Sequence, residues 1–326
     1  MPDVFTSTNT NSSTALSTNL IATALDKVLE FKLRSQPLHR KFADKRPVEL
    51  TNQGSVVRFN FYNRLTPSTS AIDEIVSPDM VQVPKTDYVD VTMYEYGRTV
   101  STTLKLRTVT FADIDPGVVQ ILADDMADTL DLLALAPLVG GTNKVTSGNK
   151  VPEGMGLGTA VATNTLTDAS TDYHSSAIAR FVPTKLREAS AVPWKDELFA
   201  AVVHPDVSYD LRSETGAGGW RVPHEYQSGA EIWSGEIGTY EGAFYIETPR
   251  AYTATDGATS QKVYRTLYVA RQALAEATAI EPHSTISEKP VDYHNRNYAL
   301  GWYGFLGFGR YREDALVRVE TVSSLS

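Results

Sequence analysis

The sequence predicts an α+β fold, and three observations carry that reading. One long segment, Asp113 to Gly141, has the hydrophobic periodicity of a helix, and two earlier runs, 56–62 and 88–100, alternate with the period of a strand. Short strand-like runs then recur from 198 to 322 between Gly-rich separators. The sheet must therefore be assembled from distant segments, with the long helix at the junction between an extended first part and a compact second part.

Taken in order, Thr6 to Thr18 is almost entirely Ser, Thr and Asn, which cannot bury enough apolar surface to offset its ordering entropy, so residues 1–19 are expected to be mobile. Leu20 to Phe42 is amphipathic (Leu20, Ile21, Ala24, Leu25, Val28, Leu29, Phe31 and Leu33 on one stripe) and is interrupted at Pro37. A helix is expected there, followed by a basic arm carrying Arg40, Lys41, Lys45 and Arg46. These charges fit a solvated face, or docking on an acidic neighbour such as the Asp-rich helix further on.

Val56 to Tyr62 alternates Val57, Phe59 and Phe61 with Val56, Arg58 and Asn60, and Tyr88 to Val100 alternates Val89, Val91 and Met93 with Tyr88, Tyr94 and Tyr96. Pro67, Pro78 and Pro84 exclude a central strand between them, so the pair reads as a long projecting ribbon. The few side chains such a ribbon buries do not offset the entropy of ordering it, and an isolated hairpin is marginal. It is expected to lie on something else, most simply another copy of the chain.

Asp115-Pro116 reads as a helix start, a carboxylate able to cap the first N–H groups followed by a residue with no N–H to satisfy. From there Val118, Leu122, Met126, Leu130 and Leu133 recur every three or four positions, with Val119, Ile121 and Leu135 widening the stripe and Asp124, Asp125, Asp128 and Asp131 on another face. Pro137, Gly140 and Gly141 are expected to stop it, leaving a rod about 30 Å long at about 1.5 Å per residue.

Gly140 to Thr167 is a Gly- and Thr-rich connector, and Ser175 to Ser190 a helical region that Pro183 should break or restart. Leu198 to Val203 reads as a buried strand ended by His204-Pro205, where a short helix can start with Asp206 and Asp210 in its first turns. Glu214 to Gly219 is turn-rich, and Glu231 to Glu247 holds short strands separated by Gly235, Gly238 and Gly242. Val263 to Ala270, the Gly- and aromatic-rich Tyr298 to Arg310, and Ala315 to Val322 complete the strands.

The chain has 326 residues, 42% of them hydrophobic, enough for a substantial core. A net charge of −9 argues against gripping nucleic acid phosphates as the main activity. With no cysteine, disulfides, thiolate metal sites and cysteine nucleophiles are excluded. No signal peptide or membrane span is legible, so a chain soluble and cytoplasmic when made is expected. Gly154-Met155-Gly156-Leu157-Gly158 lacks both the Gly-Lys-Ser/Thr ending of a P-loop and a following helix, so it reads as a flexible loop. His39, His174, His204, His224, His283 and His294 show no metal-ligand spacing, and His204 fits a strand-to-helix turn. Trp194, Trp220, Trp233 and Trp302 sit beside or near Pro or Gly and fit core or interface anchors. No catalytic, cofactor or metal site is expected.

The order of basic arm, projecting ribbon, long helix, α+β domain and returning C-terminal strand resembles the major capsid proteins of tailed phages. Arg46-Pro47, Asp115-Pro116, His204-Pro205 with Asp210-Leu211, Gly219-Trp220, Gly235-Glu236-Ile237-Gly238 with Gly242, Val263-Tyr264-Arg265 and Gly301-Trp302 together resemble one coat-protein family of the Hong Kong 97 fold. The resemblance runs from about Leu20 to about Glu320. It implies an N-terminal arm (1–48), an extended loop (49–100), a peripheral domain (101–145 and 281–326) with a spine helix at 115–138, and an axial domain (146–280). It also implies hexamers and pentamers of the chain forming an icosahedral shell, with the extended loop and arm on neighbouring subunits and DNA held only non-specifically. Arg40, Lys41, Arg46, Phe59, Phe61, Tyr62, Tyr94 and Tyr96 are then the candidate inter-subunit contacts. A scaffolding protein, portal and decoration proteins are the further partners implied, with no membrane; no Lys-to-Asn crosslink set is identified. An encapsulin-type compartment shell shares the fold, and a soluble α+β ligand-binding protein is the alternative from another class.

Overall fold

A computed structural model describes residues 37–47, 54–63, 65–69, 71–72, 74–75, 77, 80–109, 115–146, 162–214, 236–286, 294 and 296–325. The Ser/Thr/Asn tail, Leu20 to Gln36, the Gly154–Gly158 loop, the turn at Gly219-Trp220 with His224, Trp233 and Gly235, and the side chain of Asp115 as a cap lie outside the described residues.

The helices are α1 (Leu104–Val109), α2 (Asp115–Val139), α3 (Ser176–Glu188) and α4 (Pro205–Ser213). The strands are β1 (Ala43–Pro47), β2 (Val56–Tyr62), β3 (Thr86–Thr92), β4 (Tyr94–Thr103), β5 (Lys144–Thr146), β6 (Phe199–Val203), β7 (Glu236–Tyr240), β8 (Ala243–Glu247), β9 (Thr253–Ala254), β10 (Val263–Val269), β11 (Leu274–Ile286), β12 (Asn297–Arg310) and β13 (Leu316–Thr321). They form a seven-stranded sheet in the order β5-β13-β10-β6-β8-β7 with β9 on β10, a four-stranded sheet in the order β1-β11-β12-β4, and the two-stranded ribbon β2-β3.

The main core is built around β6, all five residues of which are buried. Parallel pairing of β6 with β8 requires a crossover, and α4 lies on it. Ile178, Ala179, Val182 and Leu186 of α3, Val207 and Leu211 of α4, and Leu135, Leu138 and Val139 of α2 pack into the same core. The first half of α2 rests instead on the four-stranded sheet, where Leu122 joins Leu300 and Trp302 with Val118, Met126, Tyr96 and Val100 around them. One helix thus ties the two sheets together, and its apolar stripe is the reason.

As expected, α2 ends where Pro137, Gly140 and Gly141 cluster: its last residue is Val139, two past Pro137, and the Gly140 N–H bonds the Ala136 carbonyl at 3.1 Å. Several other expectations are corrected. Pro183 does not break α3, which is continuous through it, because the packed side chains of the flanking turns outweigh one missing backbone bond. Val119 and Ile121 do not widen the buried stripe; they are 49% and 50% exposed. The run 88–100 is not one strand but breaks at Met93, β3 staying in the ribbon while β4 pairs β12 from Asn297↔Thr103 to Leu306↔Tyr94. After Pro37 the chain makes a 3-10 turn, His39–Phe42, and then β1, an unanticipated parallel partner of β11. The strand β11 itself, interrupted by bulges and containing Pro282, was hidden by that proline. The last strand, β13, lies between β5 and β10 in the seven-stranded sheet.

Candidate assembly surfaces

The arm is strapped to its own chain. Asp131, 1% exposed, accepts the backbone N–H of Leu38 (2.8 Å) and His39 (2.7 Å), with His39 Nδ1 at 3.0 Å from its other oxygen. Arg250 Nε donates to the same carboxylate at 3.0 Å while its Nη1 donates to Asp128 at 2.7 Å. Burial pushes the Asp131 carboxyl up, but the His39 hydrogen bonds and the Arg250 charge outweigh it and hold it below the usual carboxylate range. Arg40 forks onto the buried Glu276 (2.6 Å) and reaches Glu281 (3.5 Å), which Lys45 also pairs. Phe42 is buried against Trp194, ring centroids 5.4 Å apart. The arm does dock on the Asp-rich helix, through His39 and two backbone amides rather than through its cations.

The base of the ribbon is seated on the same chain as well. Phe59, Val91 and Met93 are buried with Ala275, Ala277 and Tyr311. The crossing is close: a methyl on Gly307 would run into the Thr92 carbonyl, and one on Gly309 would come 2.8 Å from the Val91 side chain. On the outer face Arg58 grips Asp90 with bonds of 2.8 and 2.9 Å and lies 3.8 Å over the Tyr88 ring. Asn63 closes the base by donating to the Lys85 carbonyl (3.2 Å) and Asp87 (2.7 Å). Beyond it the tip is different: Leu65, Ile72, Ile75, Met80, Val81 and Val83 are 58% to 99% exposed. Exposure of that many large apolar side chains in one segment marks an interaction surface.

The candidate contact residues separate accordingly. Phe59 is spent in its own core, and Arg40 on Glu276. Arg46 stacks over Phe59 (4.8 Å) and Tyr311 (5.6 Å), and Phe61 packs on Tyr311 with Arg312 above it. Tyr96 lies half-buried against the Leu122 cluster, where desolvation raises its hydroxyl pKa. Lys41, Tyr62 and Tyr94 face outward, Tyr62 at 77% and Tyr94 at 59% exposure. Asp131 and Arg250 went unrecognised because helical periodicity assigns Asp131 to a polar face without saying what covers that face.

The remaining polar groups serve packing. Trp302 Nε1 donates to Asp125 at 2.9 Å, and Asp125 also accepts Arg98 at 2.8 Å. His204 sits at the strand-to-helix turn that the sequence suggested, and there it caps α4 by accepting the Asp206 N–H at 3.2 Å. His174 lies buried 3.2 Å from the Tyr268 hydroxyl, and burial takes its imidazole down to about 4. Among the described residues no group of three or more His, Asp and Glu could hold a metal ion, and no described helix is long and apolar enough to cross a membrane.

A strapped arm, a ribbon with an exposed apolar tip, a spine helix joining two sheets and a strand returning at the C-terminus define a shell-forming coat subunit of the Hong Kong 97 fold. The chain belongs to the phage capsid protein family, whose model matches residues 135–324. No curated protein matches it. Among solved structures it is similar to the capsid of Ralstonia phage GP4 (16% identity, 93% of this chain and 96% of that one, TM-score 0.69). It is also similar to the capsid of the cyanophage P-SCSP1u (11% identity, 94% of each chain, TM-score 0.70). The cyanophage Pam1 capsid is a third such structure (14% identity, 95% of this chain and 98% of that one, TM-score 0.63). The protein is therefore structural, a subunit that assembles with its own copies into the capsid of the virion, and the family match favours this over an encapsulin-type compartment or a ligand-binding protein.

Proposed function

We propose that the subunit closes its shell through the ribbon, which lies on a neighbouring copy within hexameric and pentameric rings, whereas the described part of the arm, 37–47, packs on its own chain rather than on a neighbour as expected. The observation that carries this reading is the contrast within the ribbon: its base is satisfied by the same chain, whereas its tip exposes six large apolar side chains. Such a surface has no stable place in water and is costly unless a partner covers it. The division that goes with it is an arm to about residue 48, an extended loop over 49–100, a peripheral part over 101–145 and 281–326, and an axial part over 146–280. The four-stranded sheet and the first half of α2 form one packed unit, while β11 crosses the boundary at 281 and β13 packs with the axial strands.

The subunit carries no catalytic duty in this reading. Its net charge of −9 suits a container that encloses DNA without clinging to it. Assembly takes place in the host cytoplasm, with a separate scaffolding protein or none, and with a portal and decoration proteins as the further partners. Of the eight candidate contacts, Lys41, Arg46, Tyr62 and Tyr94 are the ones whose side chains are available to a neighbour.

The test is negative-stain electron microscopy of the purified protein together with its sedimentation profile. Closed shells or discrete pentamers and hexamers are expected, and replacing residues 65–84 with a short Gly-Ser linker should abolish them. Shells that still form from the shortened ribbon would refute the reading.

A further inference from the structure

We propose that Glu313 is a positioning residue that fixes the angle between the two large sheets, and that this angle sets the curvature, and so the size, at which the shell closes. The inference needs only that copies of the chain assemble, and it holds whichever surfaces join them.

The topology gathers the join between the sheets at one place. Among the described residues the chain passes between the four-stranded and seven-stranded sheets three times: from α2 to β5 through 140–143, from β10 to β11 through 270–273, and from β12 to β13 through 311–315. The second and third passages are stitched together, the Tyr311 N–H donating to the Ala273 carbonyl and the Ala270 N–H to the Ala315 carbonyl, each at 2.9 Å. Glu313 brings in the first. Its Oε1 accepts the backbone N–H of Thr142, the Thr142 hydroxyl at 2.9 Å and the Asn143 N–H at 3.0 Å, and Asn143 Nδ2 donates back to the Glu313 carbonyl at 2.9 Å. Arg310 holds the other carboxylate oxygen at 2.7 Å. A methyl on Gly141 would stand 3.2 Å from Glu313 Oε1 and 3.3 Å from Arg310 Nη1, so the bare glycine leaves the carboxylate room to approach.

What this carboxylate adds is direction. The end of α2 is also buried in the main core through Leu135, Leu138 and Val139, but apolar contact is non-directional and permits small rotations. Hydrogen bonds to fixed backbone donors do not, because they weaken steeply off axis. Small rotations matter here. The strand β12 runs away from the join for 14 residues, about 46 Å at about 3.3 Å each. A tilt of about 5° at the join therefore moves its far end by about 4 Å, beyond the reach of a hydrogen bond to a neighbour. Copies related by a rotation close only when that rotation is the right one, and otherwise run on into open spirals or tubes. Glu313 holds one angle in every copy, which is what a closed shell of one size needs.

The test is electron microscopy of the assemblies formed by Glu313→Ala beside those of the wild type, with thermal unfolding of the free subunit as the control for folding. Closed shells of one diameter should give way to a broad range of diameters with open spirals or tubes among them, from a subunit that still unfolds cooperatively. Gly141→Ala, which crowds the same carboxylate without removing it, should widen the distribution too. Glu313→Gln, which keeps the shape and an acceptor oxygen, should widen it less than Glu313→Ala. Folded variants that build closed shells of wild-type diameter would overturn the proposal, because a residue that only stabilises the fold lowers the yield and leaves the size alone. Free subunits without misshapen assemblies would overturn it as well, since they would place Glu313 in joining rather than in angle. Should Glu313→Ala fail to fold, Gly141→Ala and Glu313→Gln decide by the same readings.

Discussion

At the scale of single residues, Asp131 shows how one carboxylate can hold three chain segments. It joins the arm, α2 and the Arg250 turn, and with 1% exposure it does so out of reach of water. Removing one partner of a buried, hydrogen-bonded charge leaves the others uncompensated, so Asp131→Asn should lower unfolding stability by about 3 kcal/mol, read by denaturant titration of the unassembled subunit. The pH dependence has a definite sign. A carboxyl whose folded pKa is depressed contributes stability that is present above its unfolded value, about 3.9, and is lost as pH falls through the folded value. The wild type should therefore lose stability below about pH 4 more steeply than Asp131→Asn. Equal acid limbs in the two proteins would show that Asp131 contributes nothing through its charge. The sequence marked Asp131 as polar but could not mark it as buried, because periodicity defines faces and not what packs on them.

At the scale of elements, β12 explains its own composition. The run Tyr298 to Arg310 is legible as Gly-rich, yet only the packed structure says why: β4 and Pro282 press on Gly301 and Gly304, and the ribbon crosses at Gly307 and Gly309. A side chain at the ribbon crossing would meet the Thr92 backbone, which cannot yield as a flexible side chain would. Gly307→Val should thus unseat the ribbon base, costing about 2 kcal/mol and making β2 and β3 cleavable by protease in the folded subunit. Unchanged stability and unchanged cleavage would show that the ribbon is not held at this crossing. The long helix and the ribbon strand β2 were readable from their periods, and β6, β10, β12 and β13 from short runs rich in apolar and aromatic residues bounded by turn residues. The strands β1, β5 and β11 were not, since β5 is three residues long and the other two carry Pro47 and Pro282. Nor does Pro183 break its helix, because local preference yields where a buried stripe continues on both sides.

At the scale of the whole molecule, the subunit pairs a satisfied interior with unsatisfied extremities. The tip residues are exposed while the ribbon base is buried, so limited proteolysis of the free subunit should cut first within residues 65–84, and the same bonds should be protected in shells. Cleavage at equal rates in both states would show that no neighbour covers the tip.

The sequence by itself determined the α+β class, the spine helix, the projecting ribbon and the resemblance to tailed-phage coat proteins, all of which depend on periodicity and order along the chain. It marked aromatic and basic residues of the ribbon and arm as contacts without separating those used inside the subunit, such as Phe59 and Arg40, from those left outside, such as Tyr62 and Tyr94. Packing between distant segments settled that, together with the strap at Asp131 and the division of 88–100 between the ribbon and the four-stranded sheet. The reason is physical: whether a side chain is available to a neighbour depends on which distant segments already cover it, and burial between residues some ninety to two hundred and thirty positions apart leaves no local pattern.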